Sequence, residues 1–193
     1  CNINISVSMA ETVSDSICGG SYTLRRIWTV TDACGNSEAF TQVIIVTDGS
    51  APQLAGIPND TTVNCASIPP AANPVMTDNC SAATSITLRE EVSDSVCGGN
   101  YTLRRIWMAT DACGNSEEYT QVIAVVDDTA PQLSGIPNDT IVDCATIPVA
   151  ANPVITDACS ATLAIDFREE VSERICGGEY TLRRIWTATD VCG

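Results

Sequence analysis

Sulfur and carboxylate are the reactive groups this chain carries in quantity: 11 Cys and 24 Asp plus Glu, against nine Arg, no Lys and no His, for a formal net charge of −15. Without an imidazole there is no ready general base, and no serine sits in a nucleophile motif. The chain therefore reads as a non-enzyme. Cysteine at this density, without the Cys-x2-Cys and His spacings of zinc sites, points to disulfides and to an oxidising compartment, extracellular or at the cell surface. A chain this acidic repels phosphate backbones, which argues against nucleic acid as a partner. No run of about 18 apolar residues exists to span a bilayer.

The cysteines keep one register. Cys18, Cys97 and Cys176 stand 79 residues apart, as do Cys1 and Cys80, Cys34 and Cys113, and Cys65 and Cys144. A fixed period with a turn signal every 8 to 15 residues or so marks a tandem array, and at about 80 residues the unit is a small domain. The expected division is the C-terminal part of a first repeat (1–48), a complete repeat (49–128) and most of a third (129–193). Because the chain starts and stops inside a repeat, it is expected to be a window on a longer protein.

Strands must position these sulfurs. Each copy carries Cys-Gly-Gly, then an alternating stretch, Tyr101 to Thr110 in the middle repeat, then Cys-Gly-Asn. Around it the middle repeat offers short strands at 59–65 and 74–78, a half-buried strand at 84–92 and an aliphatic last strand at 118–126. The prolines of 68–74 make that segment a connection. No stretch has a helical period, so the class is all-β.

If successive strands reverse direction, Cys65 and Cys97 lie at one end of the repeat and Cys80 and Cys113 at the other. Bridged Cα atoms must lie within about 7 Å, so only cysteines at one end can pair. This predicts Cys65–Cys97 and Cys80–Cys113, and by the period Cys144–Cys176, Cys159–Cys192 and Cys1–Cys34, with Cys18 bonded to a partner upstream of the segment. An alternative joins neighbouring repeats through Cys18–Cys65 and Cys97–Cys144. A bridge closing about 32 residues contributes about 3 to 4 kcal/mol in the chain-entropy model, comparable to the core of so small a domain. The absence of Lys removes the isopeptide cross-link as another source of stability.

On the alternating strand, Tyr101, Leu103, Arg105, Trp107 and Ala109 share a face. Trp28, Trp107 and Trp186 are expected in the core, with Arg105 beside Trp107 and facing Glu90 or Glu91. Asp157 and Asp190 fall at the end of the third repeat where the linker Asp127-Asp128 arrives. Four converging carboxylates suit Ca²⁺ at the junction, and the competing reading is that these aspartates cap turns. The first junction offers only Asp48, Asp78 and Asp111.

Thr77-Asp78-Asn79-Cys80 and Ala109-Thr110-Asp111-Ala112-Cys113-Gly114-Asn115 resemble the paired signatures of HYR-type repeats, an extracellular family of immunoglobulin-like β-sandwich fold. The variant with Cys-Gly-Gly before Tyr-Thr-Leu-x-Arg-x-Trp resembles tandem arrays in very large surface proteins of Bacteroidota. Asp60-Thr61-Thr62 and Asp139-Thr140-Ile141 resemble the O-glycosylation signal of exported proteins in that group, which makes Thr61 and Thr140 glycan candidates. The resemblance implies tandem sandwich domains with a spacing or adhesion role and carries over no catalytic residue. The expected function is a disulfide-stapled rod in a stalk, surface fibre or filament. Its partners are neighbouring repeats and identical chains in a fibre. The alternative is an adhesin module that binds carbohydrate or a cell-surface partner through a repeated face. A buried Trp107 favours the stalk.

Overall fold

The computed structural model describes residues 4–80, 84–172 and 179–192. Those residues form an all-β chain of antiparallel ladders with one parallel pair, and their only helical element is a 3-10 turn at Cys65–Ser67. The middle repeat supplies a four-stranded sheet in the order β5 (Thr61–Asn64), β9 (Ser116–Val126), β8 (Asn100–Asp111), β7 (Thr84–Cys97). β5 runs parallel to β9, Thr61 facing Ile123 and Asn64 facing Val126, so the first and last strands of the sheet lie side by side.

The expected strands appear with small changes of length. β7 reaches Cys97, five residues past the expected end at Val92. The same long strand recurs as β1 (Ser6–Cys18), whose ladder with β2 (Ser21–Thr31) slips between Ser14 and Cys18. Asp15 and Asp94, one period apart, have φ of 53° and 57°. A residue with positive φ bends its strand out of the plain ladder, and here the bend lies just ahead of the Cys-Gly-Gly turn. Alternation could not reveal it, because a left-handed Asp interrupts the period of two.

β2 continues into β3 (Ser37–Val46) with Trp28 opposite Phe40. β12 (Leu163–Ser172) pairs with β13 (Thr181–Asp190), Phe167 opposite Trp186 with ring centroids 5.2 Å apart. Two short pairs complete the topology: β4 (Gln53–Ala55) with β6 (Val75–Thr77), and β10 (Gln132–Ser134) with β11 (Val154–Thr156).

The compact units do not follow the sequence repeats. The first gathers Cys1–Pro58, Ala71–Glu90 and Arg105–Gln121; the second gathers Asn59–Pro70, Glu91–Arg104 and Val122–Gly193. Each therefore mixes residues from successive repeats. In the first, Ile106, Trp107 and Ala109 are buried on β8. In the second, Leu103, Ile123 and Val125 form a cluster with Val63, Cys65, Ile68 and Tyr101 packed against it.

Candidate functional site

The cysteines that end strands share one local device. In Asp32-Ala33-Cys34, Asp78-Asn79-Cys80, Asp111-Ala112-Cys113, Asp157-Ala158-Cys159 and Asp190-Val191-Cys192, Oδ1 of the aspartate accepts the amide of the cysteine two residues on, at 2.7 to 2.8 Å. This is an Asx turn, in which the short carboxylate replaces a backbone acceptor. In the Cys-Gly-Asn turns, Asn36 and Asn115 close the ring by donating Nδ2 to Oδ2 of Asp32 and Asp111, both at 2.8 Å. The left-handed position between them is glycine, Gly35 with φ 88° and Gly114 with φ 90°. The turn thus fixes the direction in which the cysteine leaves the strand.

The bridges run from one repeat to the next. Cys18 is bonded to Cys113, Cys65 to Cys159 and Cys97 to Cys192, with Cα separations of 5.0, 5.8 and 5.4 Å. This corrects the expected Cys65–Cys97, Cys80–Cys113 and Cys159–Cys192. It also corrects the upstream partner for Cys18 and the alternative pairs Cys18–Cys65 and Cys97–Cys144. Cys1–Cys34 and Cys144–Cys176 each involve a cysteine outside the described residues; Cys34, Cys80 and Cys144 are exposed free thiols. The reason for the correction is geometric. Strand direction assigns each cysteine to an end of its repeat, but a junction brings the end of one repeat against the beginning of the next, so candidates from two repeats gather there. In the first unit, a Cβ added to Gly20 would stand 2.6 Å from Cβ of Cys80, and Ser21 Oγ lies 3.6 Å from Sγ of Cys113. In the second, a Cβ on Gly99 would stand 2.6 Å from Cβ of Asp127 and 3.0 Å from that of Cys159. The second glycine of Cys-Gly-Gly is a close-packing position against the following repeat, as well as part of a turn.

Linker hydrogen bonds hold each junction. In the first unit the Asp48 amide donates to Ser21 Oγ at 2.9 Å, and Asn115 Nδ2 donates to the Asp48 carbonyl at 3.2 Å. In the second, the Asp127 amide donates to Asn100 Oδ1, Asn64 Nδ2 donates to Asp128, and Ser160 Oγ donates to Asp127 Oδ2 at 2.7 Å. These bonds tune the acids. The Ser160 hydroxyl, opposed by burial and helped by Thr129, holds Asp127 below its ordinary range. Burial works to raise Asp111, but the side chain and amide of Asn115 with the amides of Cys113 and Gly114 outweigh it, and the net shift is downward. At Cys80, loss of hydration beside its neighbours, followed by the fields of Asp48, Asp78 and Asp111, pushes the thiol up.

Of the four carboxylates expected to gather for calcium, Asp127 and Asp157 come together, with oxygens and Cys159 Sγ all within 4.8 Å of one another. That sulfur is bridged to Cys65 and is no thiolate ligand. Asp128 instead accepts from Asn64, and Asp190 caps Cys192. A similar group forms in the first unit from Asp48, Asp111 and Cys113. Thr61 and Thr140 are both exposed.

Trp107 is 1% exposed, while Trp28 and Trp186 are half-buried. Arg105 lies on the same face of β8 at 5% exposure, its Nε 2.8 Å from Oε1 of Glu90. The equivalent Arg184 donates to Glu169 and, through Nη2, to the Pro148 carbonyl. A cavity of about 210 Å³ borders Trp107 between Ala72, Asn73, Pro74, Ile86 and Leu88. It is smaller than the range of roughly 300 to 1,000 Å³ typical of ligand pockets. Sequence reasoning missed the Asx turns and the glycine sockets; the signal for both was the recurrence of Asp-x-Cys and of the second glycine at every copy.

Comparison with known proteins places the middle repeat. Among curated proteins nothing matches. Among solved structures, the chain is similar to one titled "Protocadherin gammaB7 EC3-6 cis-dimer structure", with 13% identity, a TM-score of 0.33 and 92% of this chain covered. This chain spans 59% of the length of that one. Residues 54–125 match the family model of a HYR-like domain with 4 cysteines. The segment holds Cys65, Cys80, Cys97 and Cys113, and the middle repeat is thus similar to a HYR-like domain with 4 cysteines.

Proposed function

We propose that the chain is a load-bearing segment of an extracellular stalk or fibre, in which each repeat is covalently bonded to the next. The observation that carries this reading is the set of bridges Cys18–Cys113, Cys65–Cys159 and Cys97–Cys192, each closing 94 or 95 positions and so crossing from one repeat into its neighbour. Bonds within a repeat would stabilise it as a separate bead. Bonds between repeats instead resist their separation, and in the chain-entropy model loops of this length contribute about 4 to 5 kcal/mol apiece, with overlap reducing the total. The burial of Trp107 supports the same reading over an adhesin whose aromatic face meets a ligand. An oxidising setting outside the cell follows from sulfur used this way. Among the described residues no helix is long and apolar enough to cross a membrane. Nothing in this role asks for catalysis. Disulfide mapping of a non-reduced digest tests it: the three cross-repeat peptides are expected, and bridges confined within repeats would overturn it.

Calcium at the second junction is a second reading, favoured by the approach of Asp127 and Asp157. Two carboxylates are few for an ion that takes 6–8 oxygens, so the ion would draw on carbonyls or water. Unchanged melting after chelation would end this reading. Thr61 and Thr140 are the positions for O-glycans, read directly by intact mass of native material.

A further inference from the structure

The middle repeat, which lies whole within the chain, ends its sheet on an open edge. In the order β5, β9, β8, β7, the strand β7 has a described neighbour on one side only, and every position from Thr87 to Val96 is exposed. An edge strand presents a row of backbone N–H and C=O groups that template another strand unless something guards them. Asp94, with φ 57°, bends the strand out of the ladder, so the regular part of the edge stops at Ser93.

That edge is complementary to itself. Antiparallel pairing with a second β7 about a two-fold axis at Glu90 sets Thr87 opposite Ser93, Leu88 opposite Val92 and Arg89 opposite Glu91. Each pair joins residues separated by an even number, so both members share a face and outward backbone groups meet outward backbone groups. One face gains a hydroxyl pair and an ion pair. The other brings together Leu88 and Val92, which are 44% and 64% exposed, and cross-strand pairs of these kinds stabilise a sheet. Glu90 meets its own copy at the axis, but Arg105 Nε lies 2.8 Å from Oε1 of each Glu90, so neither carboxylate is uncompensated. Arg89 also reaches Glu118 of its own sheet at 3.7 Å, with its side chain 59% exposed. A guanidinium has five donors and serves both carboxylates. Moving the axis by one residue stacks Arg89 on Arg89 or Glu91 on Glu91, and sets Leu88 or Val92 against Glu90. The side chains therefore select one register.

The pattern returns on β12 as Phe167, Arg168, Glu169, Glu170 and Val171, with Glu169 held by Arg184 at 2.9 Å. On β1 the apolar Met9 and Val13 and the paired Glu11 persist, while Ala10 and Thr12 take the places of the outer Arg and Glu.

We propose that β7 is a self-complementary docking edge, on which a second copy of this chain pairs antiparallel about Glu90 and merges two four-stranded sheets into one. The proposal deepens the stalk-or-fibre reading and rests on it, since it supplies the lateral contact between identical chains. Charge complementarity names the occupant: an unrelated strand satisfies the backbone but leaves Arg89 and Glu91 without their counterparts.

The test is sedimentation equilibrium of the full oxidised chain with its free thiols alkylated, so that only non-covalent association is read. A concentration-dependent dimer is expected. Arg89→Glu and Glu91→Arg should each weaken it by at least about tenfold, because each places like charges opposite one another twice. The double variant Arg89→Glu with Glu91→Arg should restore the dimer, and so should mixing the two single variants, which then pair only with each other. Circular dichroism of each variant is expected to match the parent, which separates lost docking from lost folding. A monomer at every concentration, a dimer indifferent to either reversal, or failure of both the double variant and the mixture to restore it would overturn the proposal. Disulfide mapping of the same samples reports the cross-repeat bridges. Their presence without a dimer sinks this proposal alone, and their absence sinks the stalk-or-fibre reading beneath it.

Discussion

Arg105 brings its guanidinium to a face where Trp107 is fully buried, and Glu90, directly within reach of its Nε, is the carboxylate that balances it. The pair recurs as Arg26 with Glu11 and Arg184 with Glu169, so each copy carries the same internal charge pair. Glu90 is about half exposed, which moderates the field between the two. Replacing Glu90 by Ala is expected to cost about 1 to 3 kcal/mol in urea unfolding, because a buried cation loses a charge-assisted bond. The double change Arg105→Met with Glu90→Gln should cost less than Glu90→Ala alone.

The capping aspartates make a pH prediction with a definite sign. Asp32 is held low chiefly by Asn36, its side chain first and then its amide, and Asp111 and Asp127 are also shifted below their ordinary value of 3.8. A carboxyl with its pKa depressed by folding contributes stability that is present above its unfolded pKa and lost as pH falls through the folded one. The denaturation midpoint is therefore expected to be level from neutrality down to about pH 5 and to drop below about pH 4. Asp111→Asn should flatten that acid limb, and an unchanged limb would remove the caps from the account.

At the scale of elements, the strands were legible because alternation and turn residues are local properties. β8 buries the face that its period of two assigns to the core, Leu103 through Trp107 to Ala109. Partner choice among cysteines is not local. It depends on which end of which repeat arrives beside a given strand end, and neither spacing nor direction separates two repeats that meet. The glycine sockets bear on this point. Gly99→Ala places a methyl group within 2.6 Å of Cβ of Asp127 and 3.0 Å of that of Cys159, closer than atoms pack, so the Cys65–Cys159 junction must shift. Slower oxidative refolding and loss of the Cys65–Cys159 peptide are expected, while the equivalent change at exposed Gly49, with open space around its Cβ position, should leave the map intact. Trp107→Ala should lower stability by about 3 to 5 kcal/mol and Trp28→Ala by less, since only the first ring is fully buried.

For the molecule as a whole, covalent connectivity sets how far it can be drawn out. With the three bridges in place, the shortest bonded path from the N-terminus runs to Cys18, across to Cys113, back along the chain to Cys97 and across to Cys192. Most of the chain lies off that path and cannot be pulled straight. At about 3.5 Å per extended residue, the path allows roughly 120 Å, against about 670 Å for the reduced chain. Bridges confined within repeats would leave the segments between repeats extensible and allow about 330 Å. Single-molecule extension in oxidising buffer is thus expected to stop near the shortest of these lengths and to reach the longest after reductant is added. A plateau at the intermediate length would return the sulfurs to their own repeats and leave the junctions held by the linker hydrogen bonds alone.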